Sequence, residues 1–189
     1  MKKQDKRRHV FIPEELFTRI ASGDDSALED LYYLSYRPIY AFLISLTLNK
    51  EDADDLLQDT YLRIREAAHL YRHQGNPMAW MMKISKNLFL MKKRKEKGKE
   101  TIHEDGILEM MESTFHEIDD VENRIFLEEL FLHITDEERE IILMNVLSGL
   151  TFREIAGIMN KPLGTVLSKY HRAVKKLRRA SEKMEKGDD

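Results

Sequence analysis

Ser168, Lys169, Arg172, Lys175, Lys176 and Arg179 recur at three- and four-residue steps within LTFREIAGIMNKPLGTVLSKYHRAVKKLRR, the stretch from Leu150 to Arg179. Cations and a hydroxyl so spaced on one helix can pair with phosphate oxygens and donate to base edges, a chemistry of recognition without bond-making. The same helix carries Val166, Tyr170, Val174 and Leu177 as a packing stripe, so one side docks while the others stay free. Upstream, Thr151 and Glu154 have the T-x-x-E spacing of a capping box, which predicts a helix from Phe152. Asn160, Lys161 and Pro162 interrupt that helix, and proline suits the first turn of the next. Helix, tight turn and basic second helix are the sequence form of a DNA-reading helix-turn-helix.

A second cationic run lies upstream. From Lys83 to Lys99 eight basic residues stand against one acid, Glu96. Asn76-Pro77 predicts a cap and first-turn proline for MAWMMKISKNLFLMKKRKEK, in which Trp80, Ile84, Leu88 and Met91 form one stripe and Lys83, Lys86, Asn87, Lys93, Arg94 and Lys97 another. Such a helix packs by the first stripe and meets a polyanion by the second. Just before it, Asn49 precedes KEDADDLLQDTYLRI, where Ala53, Leu56, Leu57, Thr60 and Ile64 face inward and Asp54, Asp55, Gln58 and Asp59 spread over the remainder.

The positioning elements are helical throughout. Gly and Pro are sparse, 8 and 4 in 189 residues, charged residues make up 34%, and no useful strand-like alternation appears, so an all-α fold is expected. After a basic tail, Met1 to Arg8, a brief helix from Pro13 to Ala21 should stop near Gly23, with Asp24 or Asp25 capping the next. That next helix should bury Leu28, Leu31, Tyr32, Ile39, Phe42, Leu43 and Leu46, with Pro38 bending it or marking a restart. Gly98 to about Asp119 reads as an acidic linker with a weak helical turn at Ile107 to Met111. Pattern returns at Val121, Ile125, Leu130 and Phe131. Thr135 with Glu138 then opens a helix that should bury Ile141, Ile142, Val146 and Leu147 and stop at Gly149. Two small helical domains follow, residues 12–97 and 119–180, joined by a flexible acidic linker, 98–118.

Composition narrows the function classes. The absence of cysteine excludes disulfides, thiolate metal sites and thiol nucleophiles. Seven histidines are scattered without metal-ligand spacing apart from His69 and His73, and no glycine-rich phosphate loop is present. Neither metal, cofactor nor catalysis is expected. No run of eighteen apolar residues and no signal-peptide core occurs, which points to a soluble cytoplasmic protein. The net charge of -3 says nothing of nucleic acid, but its distribution does: two basic patches flank an acidic stretch.

Taken together, these segments resemble the extracytoplasmic-function (ECF) subfamily of sigma-70 factors, two-domain promoter-specificity subunits of bacterial RNA polymerase. IASGDDSALEDLYYLSYRPIYAF resembles the family's first helices, DADDLLQDTYLRI its polymerase-binding segment, MAWMMKISKNLFLMKKRKEK its -10 helix, and TDEEREIILMNVLSGLTFREIAGIMNKPLGTVLSKYHRAVKKLRR its -35 module. The resemblance implies that Asp54, Asp55, Gln58, Asp59 and Arg63 dock on the clamp of the polymerase's largest subunit. It implies -10 contacts from His69, Tyr71, Arg72, His73, Asn76, Trp80, Lys83, Lys86, Asn87, Lys93 and Arg94, with the flat side chains of the loop, Gln74 among its residues, holding an unstacked base. Thr165, Ser168, Lys169, His171, Arg172 and Lys175 would meet the -35 element. An anti-sigma factor would be a further partner, holding the protein at the membrane when it is not nucleoid-associated. Three positions depart from the usual pattern: Leu167 for a basic residue, Pro162 for a capping serine and Met91 for an aspartate. A helix-turn-helix regulator acting without polymerase is the alternative, but it has no need of the basic Trp80 helix behind an Asp/Gln helix.

Overall fold

The computed structural model describes residues 11–72, 75–95 and 130–184. The basic tail, His73, Gln74, the acidic linker with its Ile107 to Met111 turn, and Val121 and Ile125 lie outside the described residues. Within them the fold is all-α. Helices α1 (Glu15–Ala21), α2 (Asp25–Thr47), α3 (Lys50–Ala67) and α4 (Pro77–Lys95) form one group, with a 3-10 turn at Ala68–Leu70. Helices α5 (Asp136–Val146), α6 (Phe152–Met159) and α7 (Leu163–Met184) form the other.

Local chemistry sets the boundaries. Gly23 takes the left-handed backbone at φ 90° that ends α1, and the Asp24 side chain accepts from the Ser26 and Ala27 amides to start α2. Asn49 caps α3 through the Asp52 amide, and Asn76 accepts from the Met78 amide at 3.0 Å at the head of α4. Both expected capping boxes form: Thr135 with Glu138 and Thr151 with Glu154 exchange side-chain and backbone bonds. Asn160 ends α6 in the left-handed region at φ 53°, a conformation asparagine tolerates better than most residues. Pro38 neither breaks nor restarts α2, which runs through it for 23 residues.

The core is built on Leu31, Ile39, Phe42, Leu43, Ile44, Ile64, Met78, Met81 and Met82, all essentially without solvent contact. Hydroxyls share it. Ser35, Thr60 and Ser85 bond back to the Leu31, Leu56 and Met81 carbonyls at 2.6, 2.6 and 3.0 Å, which satisfies them inside an apolar setting. Ser35 also meets the Tyr61 hydroxyl at 2.7 Å across α2 and α3.

Four apolar stripes differ from expectation. In α4 the buried line is Met78, Met81, Met82 and Ser85, whereas Trp80, Ile84 and Leu88 are half-buried and Met91 is exposed. The helix is therefore rotated so that methionines, not the Trp80 row, face α2 and α3. In α7 the buried residues are Val166, Ala173 and Ala180, with Tyr170 and Leu177 alongside, while Val174 is exposed. Tyr32 and Val146, expected inside, are exposed, Tyr32 lying at the rim of the α2–α3 contact and Val146 at the last turn of α5.

The two groups touch. Helix α5 lies against α2 and α6 against α4, and buried residues of both groups join a single apolar cluster. Residues 41–45 of α2 are consequently buried on every side, as are residues 138–145 of α5. The rotated α4 has a direct consequence: Met82→Ala should lower unfolding free energy by about 2–5 kcal/mol and Met91→Ala by no more than about 0.5 kcal/mol, measured by urea denaturation.

Candidate polymerase and nucleic-acid interfaces

Helix α3 turns Ala53, Leu56, Leu57, Thr60, Tyr61 and Ile64 inward, and this leaves Asp54, Asp55, Gln58, Asp59 and Arg63 exposed as one face. Arg63 bonds Glu66 at 2.9 Å along the helix surface. A shallow groove lies on each side of the acidic face. One is bounded by Asp55, Leu56, Gln58, Asp59 and Lys92 and the other by Tyr32, Asp54, Leu57, Gln58 and Tyr61. Tyr32 stacks on Tyr36 with ring centroids 5.2 Å apart and tilts against Tyr61 at 4.9 Å. This aromatic shoulder went unread in the sequence, where tyrosines at these spacings pass for core.

The -10 candidates separate into three kinds. His69, Arg72, Lys83, Asn87, Lys93 and Arg94 are exposed, and Lys83, Asn87 and Arg94 fall on one row of α4. Asn76 is engaged as a helix cap. Tyr71 and Trp80 are packing residues: Tyr71 stacks on Phe17 at 4.3 Å, and Trp80 stands edge-on to both at 5.4 Å. The Tyr71 hydroxyl donates to Glu14 at 2.8 Å and to the Gly75 carbonyl at 3.1 Å. Burial, with the neighbouring Glu14 carboxylate, pushes that phenol above its ordinary range. Phe17 covers one face of its ring, and Trp80 stands beside the stacked pair. Lys86 is half-buried and bonded to Glu140 at 2.6 Å.

In the -35 candidate, Gly164, Ser168, His171, Arg172, Lys175 and Arg179 form a continuous exposed row on α7. Lys169 lies off that row. Its Nζ bonds Glu137 on α5 at 2.6 Å with 23% of the side chain exposed, and Lys161 from the turn reaches the same carboxylate. Glu138, next along α5, takes Lys176 at 2.7 Å. Burial alone would raise the Glu137 and Glu138 carboxyls, but the lysine bonds outweigh it and hold both below the ordinary glutamate range. Thr165 is half-exposed, and its amide, like that of Val166, donates to the Pro162 carbonyl. Among the described residues no group of three or more carboxylates and histidines is placed to hold a metal ion, and no helix is long and apolar enough to cross a membrane.

These surfaces coincide with known families. Residues 22–99 match the family model described as Sigma-70 region 2, and residues 127–177 match Sigma-70, region 4. The ECF RNA polymerase sigma factor EcfG of Rhodopseudomonas palustris is 30% identical over 155 residues, 80% of this chain and 83% of that protein. This chain is an ECF sigma factor of the sigma-70 family. The ECF sigma factor SigM of Bacillus subtilis is 29% identical over 70% of this chain and 82% of its own length. A solved complex of the sigma factor RpoE with the anti-sigma factor NepR from Bartonella quintana shares the fold, with a TM-score of 0.61 at 23% identity over 82% of this chain and 96% of the other. The sigma factor directs transcription initiation as an alternative sigma subunit. Its all-helical fold and its family were both legible in the sequence.

Two measurements test this geometry. Tyr71→Ala in the sigma factor should cost about 3 kcal/mol of stability, as expected for an aromatic removed from a packed cluster, with His69→Ala within about 0.5 kcal/mol by the same denaturation assay. Depressed carboxyl pKa values in the folded state also fix a pH trend: the stabilisation is fully present above the ordinary glutamate range and is lost as pH falls through and below it. Thermal melts between neutral pH and pH ~3 should therefore show an acid loss that the double variant Glu137→Gln/Glu138→Gln reduces.

Proposed function

We propose that the sigma factor acts by binding alone, with no bond-making chemistry of its own. It docks on core RNA polymerase, reads a bipartite promoter and holds the opened -10 strand. Region 2 spans residues 12–97 and region 4 residues 119–180, with 98–118 joining them. Asp54, Asp55, Gln58, Asp59 and Arg63 meet the largest-subunit clamp, where charge complementarity favours encounter rate and specificity. The exposed set His69, Arg72, Lys83, Asn87, Lys93 and Arg94, together with Lys86, follows the displaced strand. Ser168, His171, Arg172 and Lys175 meet the -35 duplex.

The observation that carries this reading is the unbroken exposed row from Ser168 to Arg179 on a helix pinned along one flank by Glu137 and Glu138. Pinning by ion pairs along the flank leaves the outer cations for DNA and fixes the angle at which they are presented. Lys169 and Lys161 belong to that clamp and act as positioning residues. An amphipathic helix held this way can enter a major groove without its own core being disturbed. An anti-sigma factor is a further partner in this reading, supported by the similar RpoE fold having been solved with NepR. Cytoplasmic residence, nucleoid association when active and retention at the membrane when held by such a partner complete it.

Transcription in vitro with purified core polymerase and a promoter-fragment library tests the assignment. Arg172→Ala should weaken -35-dependent initiation by about tenfold, and Lys175→Ala should lower the salt dependence of duplex binding by about one counterion. Asp55→Ala and Gln58→Ala should instead weaken association with core and leave duplex binding unchanged. If all four variants initiate like the parent protein, the surfaces are misassigned.

A further inference from the structure

Helix α7 has a flank on either side of its exposed row. One is closed: Lys169 and Lys176 are bonded to Glu137 and Glu138 of α5 at 2.6 and 2.7 Å. The other carries Leu167, one turn from Gly164 before it and one turn from His171 after it, both members of the row. Leu167 is half-buried, and Leu163, a turn earlier, is 38% exposed. Among the described residues the apolar side chains of α7 that lie in the core or pack against it include Val166, Tyr170, Ala173 and Leu177, but neither Leu163 nor Leu167. Packing therefore gives no reason for a leucine at 167.

Gly164 is equally unexplained by the fold. Its backbone is not among those with positive φ, and a Cβ added to it would meet nothing within 4 Å. Glycine weakens a helix relative to alanine, and one of its uses is to let another molecule come close to the backbone. The helix surface beside Leu167 is thus bare of side chain where it borders the row.

We propose that Leu167 is a specificity-determining residue of the -35 contact: its methyl groups pack on the C5-methyl of a thymine in the major groove, and Gly164 lets that base edge approach. The inference rests on the assignment of the row from Ser168 to Arg179 to the -35 duplex and adds what is read at its edge. A solitary exposed leucine is ordinary on a protein surface; this one adjoins a row of donors directed at base pairs. In the major groove thymine alone among the four bases presents a methyl group. Ser168 and Arg172 sense acceptors and phosphates, and Lys175 and Arg179 position the duplex without reading it. An aliphatic side chain does the complementary task. It gains by excluding water from a methyl, and it leaves the amino group of a cytosine without a partner. Leu167 accordingly favours T·A over C·G at one position, and the methyl contact is worth about fourfold in affinity.

Duplexes enriched from a randomised library by the full-length sigma factor bound to core polymerase define the -35 element. Each of its thymines is then replaced by deoxyuridine, which removes the methyl and nothing else. At one thymine the replacement should weaken binding to the parent protein about fourfold. Leu167→Ala and Leu167→Gln should bind the thymine and deoxyuridine duplexes alike, with helical circular dichroism retained. Lys175→Ala should weaken both duplexes equally and keep their ratio. Equal binding of every deoxyuridine duplex by the parent, an enriched element without thymine, or discrimination that survives Leu167→Ala overturns the proposal. A ratio that Gly164→Ala leaves intact overturns the part given to the glycine. Failure to enrich any element, or parent-like binding by Arg172→Ala, overturns the -35 assignment itself and this inference with it.

Discussion

Four consecutive charged residues near the head of α5, Glu137 to Glu140, set the constraint on which the rest of the molecule depends. Their helix is buried over most of its length, so each charge requires a partner. Glu137 faces Lys161 and Lys169, Glu138 faces Lys176, Arg139 bonds Asp136 at 3.2 Å, and Glu140 faces Lys86. The first two glutamates orient the recognition helix, and the last reaches into region 2. One short acidic segment therefore fixes both how α7 stands and where region 4 rests. Ionisation is not equally favoured along it: the lysine bonds hold the Glu137 and Glu138 carboxyls below the ordinary glutamate range, whereas burial raises that of Glu140 in spite of Lys86.

Apolar packing supplies what those ion pairs do not. The continuous cluster from Ile12 to Ala173 spans both regions, and α2 is its spine, touching α1, α3, α4 and α5. Hydroxyl groups inside it are bonded to carbonyls one turn back, which lets Ser35, Thr60 and Ser85 occupy positions that a purely hydrophobic reading would refuse. Directional bonds confine these side chains, and shape complementarity among aliphatic ones does the rest.

Much of this was legible in the residues themselves. Capping boxes at Thr135 and Thr151, the stop at Gly23 and the turn at Asn160 are local chemistry, and they fall where the sequence placed them. The α3 face and the outer row of α7 followed from helical period, since polar residues there have no competing demand. Rotation of α4 did not follow: Trp80 is the largest apolar group, but a tryptophan fits the rim beside Phe17 and Tyr71, and unbranched methionines fill the close contact. Tyr71 and Lys169 were read as ligands because their side chains suit stacking and phosphate pairing. Within the chain they meet Phe17 and Glu137, 54 and 32 positions away in sequence and beyond the reach of any local pattern.

The methionine seat beneath α4 carries a mechanical consequence. Met78, Met81 and Met82 present flexible thioethers where α4 bears on its neighbours. Such side chains re-pack with little loss when the surface above them shifts, unlike branched ones locked in a single rotamer. A helix resting on them behaves like a shaft on a compliant bearing, able to roll slightly under load and settle back when the load is gone.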